Sequence, residues 1–146
     1  MIISVLLPYK ENFSSDKAGA VSLFVKDMME HSLYKKNIYI FGETLSKKVL
    51  SKNYINLNLK NKFYFSKTSA YLKLFLKNKN FLNSDLIEIH NRPLYVNIIK
   101  KRIDKKVFLY FHNDPLKMKG SKKISERISL LRDCEKIIFN SLWCKN

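Results

Sequence analysis

The sequence predicts an α/β domain: a parallel sheet with helices on both faces. Three observations predict it. Short apolar runs recur at Ile2–Leu7, Ile38–Phe41, Asp85–His90, Val107–His112 and Lys136–Phe139, each ending in a polar cluster. Segments of helical periodicity lie between most of them, which is the pattern of strand–helix–strand units. Finally, His90 and His112 stand at the ends of two runs. In sheets of this kind, ligands bind in the crevice beyond the carboxyl ends of the strands.

Taken in order, the first strand stops at Pro8, which cannot continue a hydrogen-bonded ladder. A polar loop from Tyr9 to Lys17 follows, and Ala18-Gly19-Ala20 opens a helix. Its Val21, Phe24, Val25, Met28 and Met29 share one helical face. Asn37–Gly42 is the second strand, with Gly42 turning the chain out of it. Within residues 43–65 the pattern is weaker: Leu45–Leu50 reads as a short helical turn and Tyr54–Leu59 as an alternating edge strand. Ser66 or Lys67 begins a helix to about Asn80, with Tyr71, Leu74 and Phe75 on one stripe and Leu72 and Leu76 on a second. Lys73 and Lys77 lie opposite. That helix covers the sheet, or it lies on an anionic membrane.

Asp85–His90 is the next strand, and Asn91-Arg92-Pro93 reads as a helix start, with Asn capping and Pro in the first turn. This helix runs to about Arg102, with Val96, Ile99 and Ile103 facing inward. Lys106–His112 is the most hydrophobic strand, as a central strand buried on both faces should be. Ile124, Ile128 and Leu131 carry the following helix, and Lys136–Phe139 is the last strand. Asn140-Ser141 then reads as a cap before Leu142-Trp143-Cys144, a helix that stops within two turns. The expectation is one domain over residues 1–146, forming the front part of a longer protein.

At 146 residues the chain is long enough for a real core, and an apolar share of 46% excludes a disordered chain. The first strand is too short for a signal-peptide core, and no run approaches the roughly 18 apolar residues of a bilayer span. Cys134 and Cys144 stand apart without a partner motif, which fits reduced, buried thiols in a cytosol. The net charge of +16 is unevenly placed: residues 1–34 carry three Lys against four acids, and all the excess lies beyond them. Such a charge raises nucleic acid, an anionic membrane or a phosphorylated ligand as partner. Lys is nevertheless spread over every later segment beside abundant Asn, Ile, Tyr and Phe, as a coding bias on surface positions would leave it.

Three constellations carry chemistry. The loop Pro8–Ala20 leads into a helix start, whose free amides and dipole favour anions, and Gly19 permits close approach. There is no G-x-G-x-x-G and no Walker A. In Glu88-Ile89-His90-Asn91-Arg92-Pro93, His90 ends the strand and Arg92 offers a fixed, permanently charged fork to a phosphate or carboxylate. In Tyr110-Phe111-His112-Asn113-Asp114-Pro115, an imidazole beside Asn and Asp can donate to a substrate hydroxyl or take its proton. His31, at the end of the first helix, suits the dipole there and has no catalytic assignment. No Ser-His-Asp order and no His/Cys metal cluster is present in the sequence.

At these residues the chain resembles the amino-terminal domain of GT-B glycosyltransferases of family 4, a Rossmann-like domain. Ile3–Pro8 with Ala18–Val21 is similar to that family's opening strand and small-residue loop. Ser84–Pro93 is similar to its "D-hydrophobic-H-N" strand, Phe108–Asp114 to its strand ending in "H-D", and Cys134–Trp143 to its "vS-x-w" strand and turn. The resemblance implies retaining transfer of a sugar from a nucleotide-sugar donor to a glycan or lipid-linked acceptor, with no further cofactor. It implies that His112 contacts the transferring sugar as the catalytic residue. Gly19 would approach the donor phosphates or sugar, Asn91 with Arg92 would line the acceptor side, His90, Asn113 and Asp114 would bind substrate, and Lys10 with the loop after it would contact the acceptor. By the same analogy the work is cell-surface polysaccharide or lipopolysaccharide synthesis, in the cytoplasm or peripherally on the inner face of its anionic membrane.

Two departures from the family stand out. A single Gly19 between Ala18 and Ala20 replaces paired glycines, which disfavours positive φ and alters the phosphate contact. The family's donor-binding domain, with its E-x7-E element, is absent, so this stretch alone is expected to be inactive. The rival readings are a basic nucleic-acid-binding module, for which no reading motif is present and nucleic acid is the disfavoured partner, and a GT-B sugar-nucleotide epimerase.

Overall fold

The structure is a computed structural model that describes residues 1–59 and 66–146. It has the α/β, Rossmann-like character that the sequence predicts, with parallel strands flanked by helices. Two compact units divide the chain, Met1–Ser84 and Asp85–Asn146. None of the described helices is long and apolar enough to cross a membrane.

In the first unit, β1 (Ile3–Leu6) pairs with β2 (Ile38–Gly42), and β2 pairs with β3 (Tyr54–Asn56). Every residue of β1 is buried, which is why it reads as an unbroken apolar run. Its one polar side chain, Ser4, is satisfied by a buried hydrogen bond with the Ser84 hydroxyl. Helix α1 (Ala20–Glu30) buries Val25 and Met29 but leaves Phe24 partly in solvent. The Ser66 hydroxyl caps α2 (Lys67–Leu76) by accepting from the Ser69 amide at 3.2 Å.

Tyr71, Leu72 and Phe75 of α2 are fully buried. The Phe75 ring meets Phe41 edge-on at 5.0 Å and Phe81 at 4.3 Å. The Tyr71 hydroxyl donates to the Leu7 carbonyl at 2.9 Å. This helix therefore covers the strands through Tyr71, Leu72 and Phe75, while Leu74 of the same stripe stays at the surface. It ends at Leu76 rather than about Asn80, because the Asn78 side chain accepts from the Asn80 amide at 2.9 Å and starts a separate turn, α3 (Lys79–Leu82).

The expected helical turn at Leu45–Leu50 is a loop. Hydroxyls compete for its backbone: Ser46 N donates to Thr44 Oγ1 at 3.4 Å, and Lys48 N to Ser46 Oγ at 3.1 Å. Val49 instead bridges antiparallel to Ser14. The predicted edge strand is real but short, ending at Asn56. The end of the weakly patterned 43–65 stretch lies outside the described residues.

In the second unit, β5 (Lys106–Phe111) lies between β4 (Leu86–His90) and β6 (Lys136–Phe139), all parallel. β5 is the middle strand of this unit, but it is not buried on both faces as expected: Val107, Leu109 and Phe111 are buried while Phe108 and Tyr110 are partly exposed, whereas every residue of β4 is buried. Helix α4 (Pro93–Lys100) takes Pro93 in its first turn and buries Tyr95, Val96 and Ile99. Helix α5 (Ile124–Asp133) buries only Leu130, while Ile124, Ile128 and Leu131 face solvent. The short α6 (Leu142–Lys145) is capped as expected, the Ser141 hydroxyl accepting from the Cys144 amide at 3.2 Å. Gly120, at φ +97°, lies directly against the backbone of Pro93 and Leu94 where α4 begins.

Candidate functional site

Strand alternation sets Glu88 and His90 on one face of β4, and the parallel register brings Tyr110 opposite His90. The His90 and Tyr110 rings stack with centroids 4.5 Å apart. His90 is fully buried, and its Nδ1 lies 3.0 Å from Nε2 of the half-buried His112. On its other side, His90 Nε2 lies 4.0 Å from the Glu88 carboxylate. Glu88, His90 and His112 therefore form a row running from the buried strand face toward the strand's carboxyl end.

Two facing ring nitrogens must divide the roles, since a neutral imidazole has one donor and one acceptor. A carboxylate accepts only, so one tautomer puts the His90 proton on Nε2, the atom that faces Glu88 at 4.0 Å. His90 Nδ1 then accepts from His112 Nε2–H, and Nδ1 is the acceptor nitrogen of His112. Burial disfavours both cations. It holds His90 below its ordinary value against the opposing pull of Glu88. It brings His112 down to about 4, with the His90 neighbour adding to the effect. Tyr110 keeps its proton, its pKa raised by burial and then by Glu88.

Asn91 does a different job from the cap expected of it. It adopts the left-handed region, at φ 56°. Its amide donates to the Tyr110 carbonyl at 2.8 Å, and its Oδ1 accepts from the His112 amide at 3.3 Å. Asn91 thereby ties the end of β4 to the end of β5. The N-cap position of α4 belongs to Arg92, whose side chain does not cap. One guanidinium nitrogen of Arg92 donates back to the Asn91 carbonyl at 2.8 Å. Asn140 Nδ2 donates to the His112 carbonyl at 3.3 Å, so both backbone groups of His112 are held by asparagine side chains.

Asn113 is exposed. Asp114 Oδ1 accepts from the Leu116 amide at 2.9 Å, capping the short 3-10 turn Pro115–Lys117, and its other oxygen lies 3.8 Å from Lys117 Nζ. The carboxylate is thus occupied in the turn, and it is burial and His90 that set the His112 titration.

Lys10 and Gly19 belong to the first unit. Lys10 is exposed in the left-handed region at φ 68°, with its ammonium 5.8 Å from the Tyr9 ring centroid. Gly19 is the N-cap residue of α1 in ordinary extended backbone, φ −80°. Glu11 reaches this helix start, its Oε1 accepting from the Ser22 amide at 3.2 Å. A side chain at Gly19 would collide with that carboxylate. The need for glycine here therefore comes from an anion supplied by the chain itself. His31 sits at the end of α1 as expected, Nδ1 lying 2.8 Å from the Asp27 carbonyl.

The residues brought together are His90, Asn91, Arg92 and His112. Sequence reasoning missed Glu88 and Tyr110 as partners. The signal for both was available: a carboxylate two residues before His90 in an apolar strand, and a tyrosine two before His112. Among the described residues, no group of three His, Cys, Asp or Glu side chains could hold a metal ion. Cys134 and Cys144 are free, and burial pushes the Cys134 thiol up to about 12, leaving it a poor nucleophile. In comparisons with known proteins, no family model matches this chain, and no curated protein or solved structure does either.

Proposed function

We propose that this chain is the acceptor-side, amino-terminal part of a retaining GT-B glycosyltransferase. It would pass a sugar from a nucleotide-sugar donor to a glycan or lipid-linked acceptor of the cell surface, working in the cytoplasm or peripherally at the inner face of the cytoplasmic membrane. One observation carries the reading: a neutral, half-buried His112 fixed at the end of β5 by His90, Asn91 and Asn140, with Arg92 at the adjacent end of β4.

The proton affinity of His112 narrows its role. A base that titrates near 4 is almost entirely unprotonated at neutral pH, but it pulls weakly on a hydroxyl proton. As a neutral hydrogen-bonding group it holds a sugar hydroxyl without adding charge to the site. Retaining transfer puts the main electrostatic demand on the departing diphosphate. Arg92, with most of its donors beyond the single bond to Asn91, is the cation nearest this role in the second unit's site.

The test is transfer from a panel of UDP-glucose, UDP-N-acetylglucosamine and GDP-mannose into lipid-linked and polysaccharide acceptors, using the longest protein that carries this chain. His112→Ala should lower turnover roughly ten- to ten-thousand-fold. Unchanged turnover removes His112 from the reaction. For the chain alone, saturation-transfer NMR with neutral oligosaccharides should show contact that His112→Ala abolishes.

A further inference from the structure

The outer face of α5 is apolar and uncovered. Ile124, Ile128 and Leu131 are 70%, 61% and 72% exposed, and Leu116 on the preceding turn is 60% exposed. The helix residues follow i, i+4, i+7 spacing and so form one stripe. At about 100° per residue, Arg127 and Arg132 flank the stripe on either side, but Arg132 pairs with Asp133 at 2.8 Å and Arg127 donates to the Ser121 and Lys122 carbonyls. Lys117, Lys119, Lys122 and Lys123 are all exposed at the approach to the helix. The nearby carboxylates are already engaged: Asp114 lies 3.8 Å from Lys117, Glu126 accepts from the Lys123 amide at 2.9 Å, and Asp133 pairs with Arg132, which leaves Lys119, Lys122 and Lys123 as the cations that carry the inference. Leu131 also borders an apolar crevice of about 220 Å³, lined by Phe111, Leu130, Ile137 and Phe139.

We infer that this face of α5, with the lysine-rich turn before it, docks on an anionic lipid surface. An exposed apolar stripe bordered by exposed lysines is the arrangement of a helix lying in an anionic bilayer interface. A second copy of the chain would bring the same cations face to face. A nucleic acid would satisfy the lysines and leave the leucine and isoleucines in water. The inference rests on the membrane placement in the proposed function and names the docking face, but it uses none of the sugar-transfer residues, so vesicle binding and sugar transfer can fail independently. It also differs from docking through α2, whose apolar residues are mostly buried, with Leu74 the exception.

The experiment is co-sedimentation with vesicles of phosphatidylcholine, alone or mixed with phosphatidylglycerol at about three to one. Binding is expected to the mixed vesicles only, and to weaken with salt. Lys119→Glu with Lys122→Glu should lower the partition coefficient at least about five-fold per residue. Ile124→Ser with Ile128→Ser should lower it as strongly, and both pairs are exposed, so circular dichroism should show intact folding. Lys73→Glu with Lys77→Glu on α2 should change it far less. The inference is overturned if mixed vesicles are not bound, if the isoleucine pair has no effect, or if the α2 and α5 lysine pairs act equally. A concentration-dependent dimer lost in the isoleucine variant, with no vesicle binding, would assign the stripe to a second copy instead.

Discussion

His90 and His112 face each other nitrogen to nitrogen at 3.0 Å, with one ring sealed in the strand face and the other half in solvent. Their protonation is therefore a joint property. A proton arriving on His112 would face both a poorly hydrated setting and a second imidazole. We expect side-chain ¹⁵N NMR to show His112 neutral through its ordinary value of 6.5 and protonating only near 4. A midpoint near 6.5 would mean that the imidazole is hydrated and unpaired.

The same shift links stability to pH. In the unfolded chain His112 binds a proton as pH falls below about 6.5, whereas in the folded chain it does so only near 4. Between those values the unfolded state binds more protons, so stability rises with pH across the window and is flat above it. The contribution is fully present above the unfolded value and is lost as pH falls toward the folded one. His90, also held low by burial, acts in the same direction. Urea melts should show this slope, and His112→Gln should make it shallower. A slope that survives unchanged in His112→Gln would place its origin elsewhere.

The parallel arrangement was legible because strands buried on both faces, such as β1 and β4, leave nearly continuous apolar runs, and Lys136–Phe139 is found as read although it is only partly buried. Pro93 and Ser141 likewise mark helix starts through chemistry that needs no tertiary context. Asn91 was misread for a physical reason. Asn before Arg-Pro has the composition of a cap, but a left-handed backbone turns its side chain toward the neighbouring strand's end. Periodicity shows that Ile124, Ile128 and Leu131 share a face, yet it carries no information on whether that face meets the strands or the solvent. In the loop before β3, hydroxyl-to-backbone bonds from Thr44 and Ser46 outweigh a weak helical pattern.

The Glu11 carboxylate at the start of α1 should behave as a cap delivered from a distance. Glu11→Ala should cost about 1 kcal/mol by chemical denaturation. Gly19→Ala introduces a Cβ that displaces the same carboxylate and should cost a similar amount. Because both changes remove one interaction, the double variant should cost clearly less than the two separate losses together. Additive losses would show that Gly19 serves some purpose other than admitting Glu11.

Gly120 and Gly42 provide the sharpest comparison between a glycine required by backbone and one required by side chains. A Cβ at Gly42 would meet Tyr54 and Leu7 side-chain atoms at 3.0–3.2 Å, and these can shift by a few tenths of an ångström. At Gly120 it would meet the Leu94 amide nitrogen at 2.5 Å and Cα at 2.7 Å, in backbone already committed to the first turn of α4. The φ of +97° there adds strain for any L side chain. Gly120→Ala should therefore cost about 1–3 kcal/mol from the backbone alone, with the collision added. It should also push on the α4 start beside Arg92, disturbing the NMR signals of Asn91 and His112. Gly42→Ala should cost less and leave those signals in place. Equal losses from the two substitutions would mean that the turn carrying Gly120 can move away from α4.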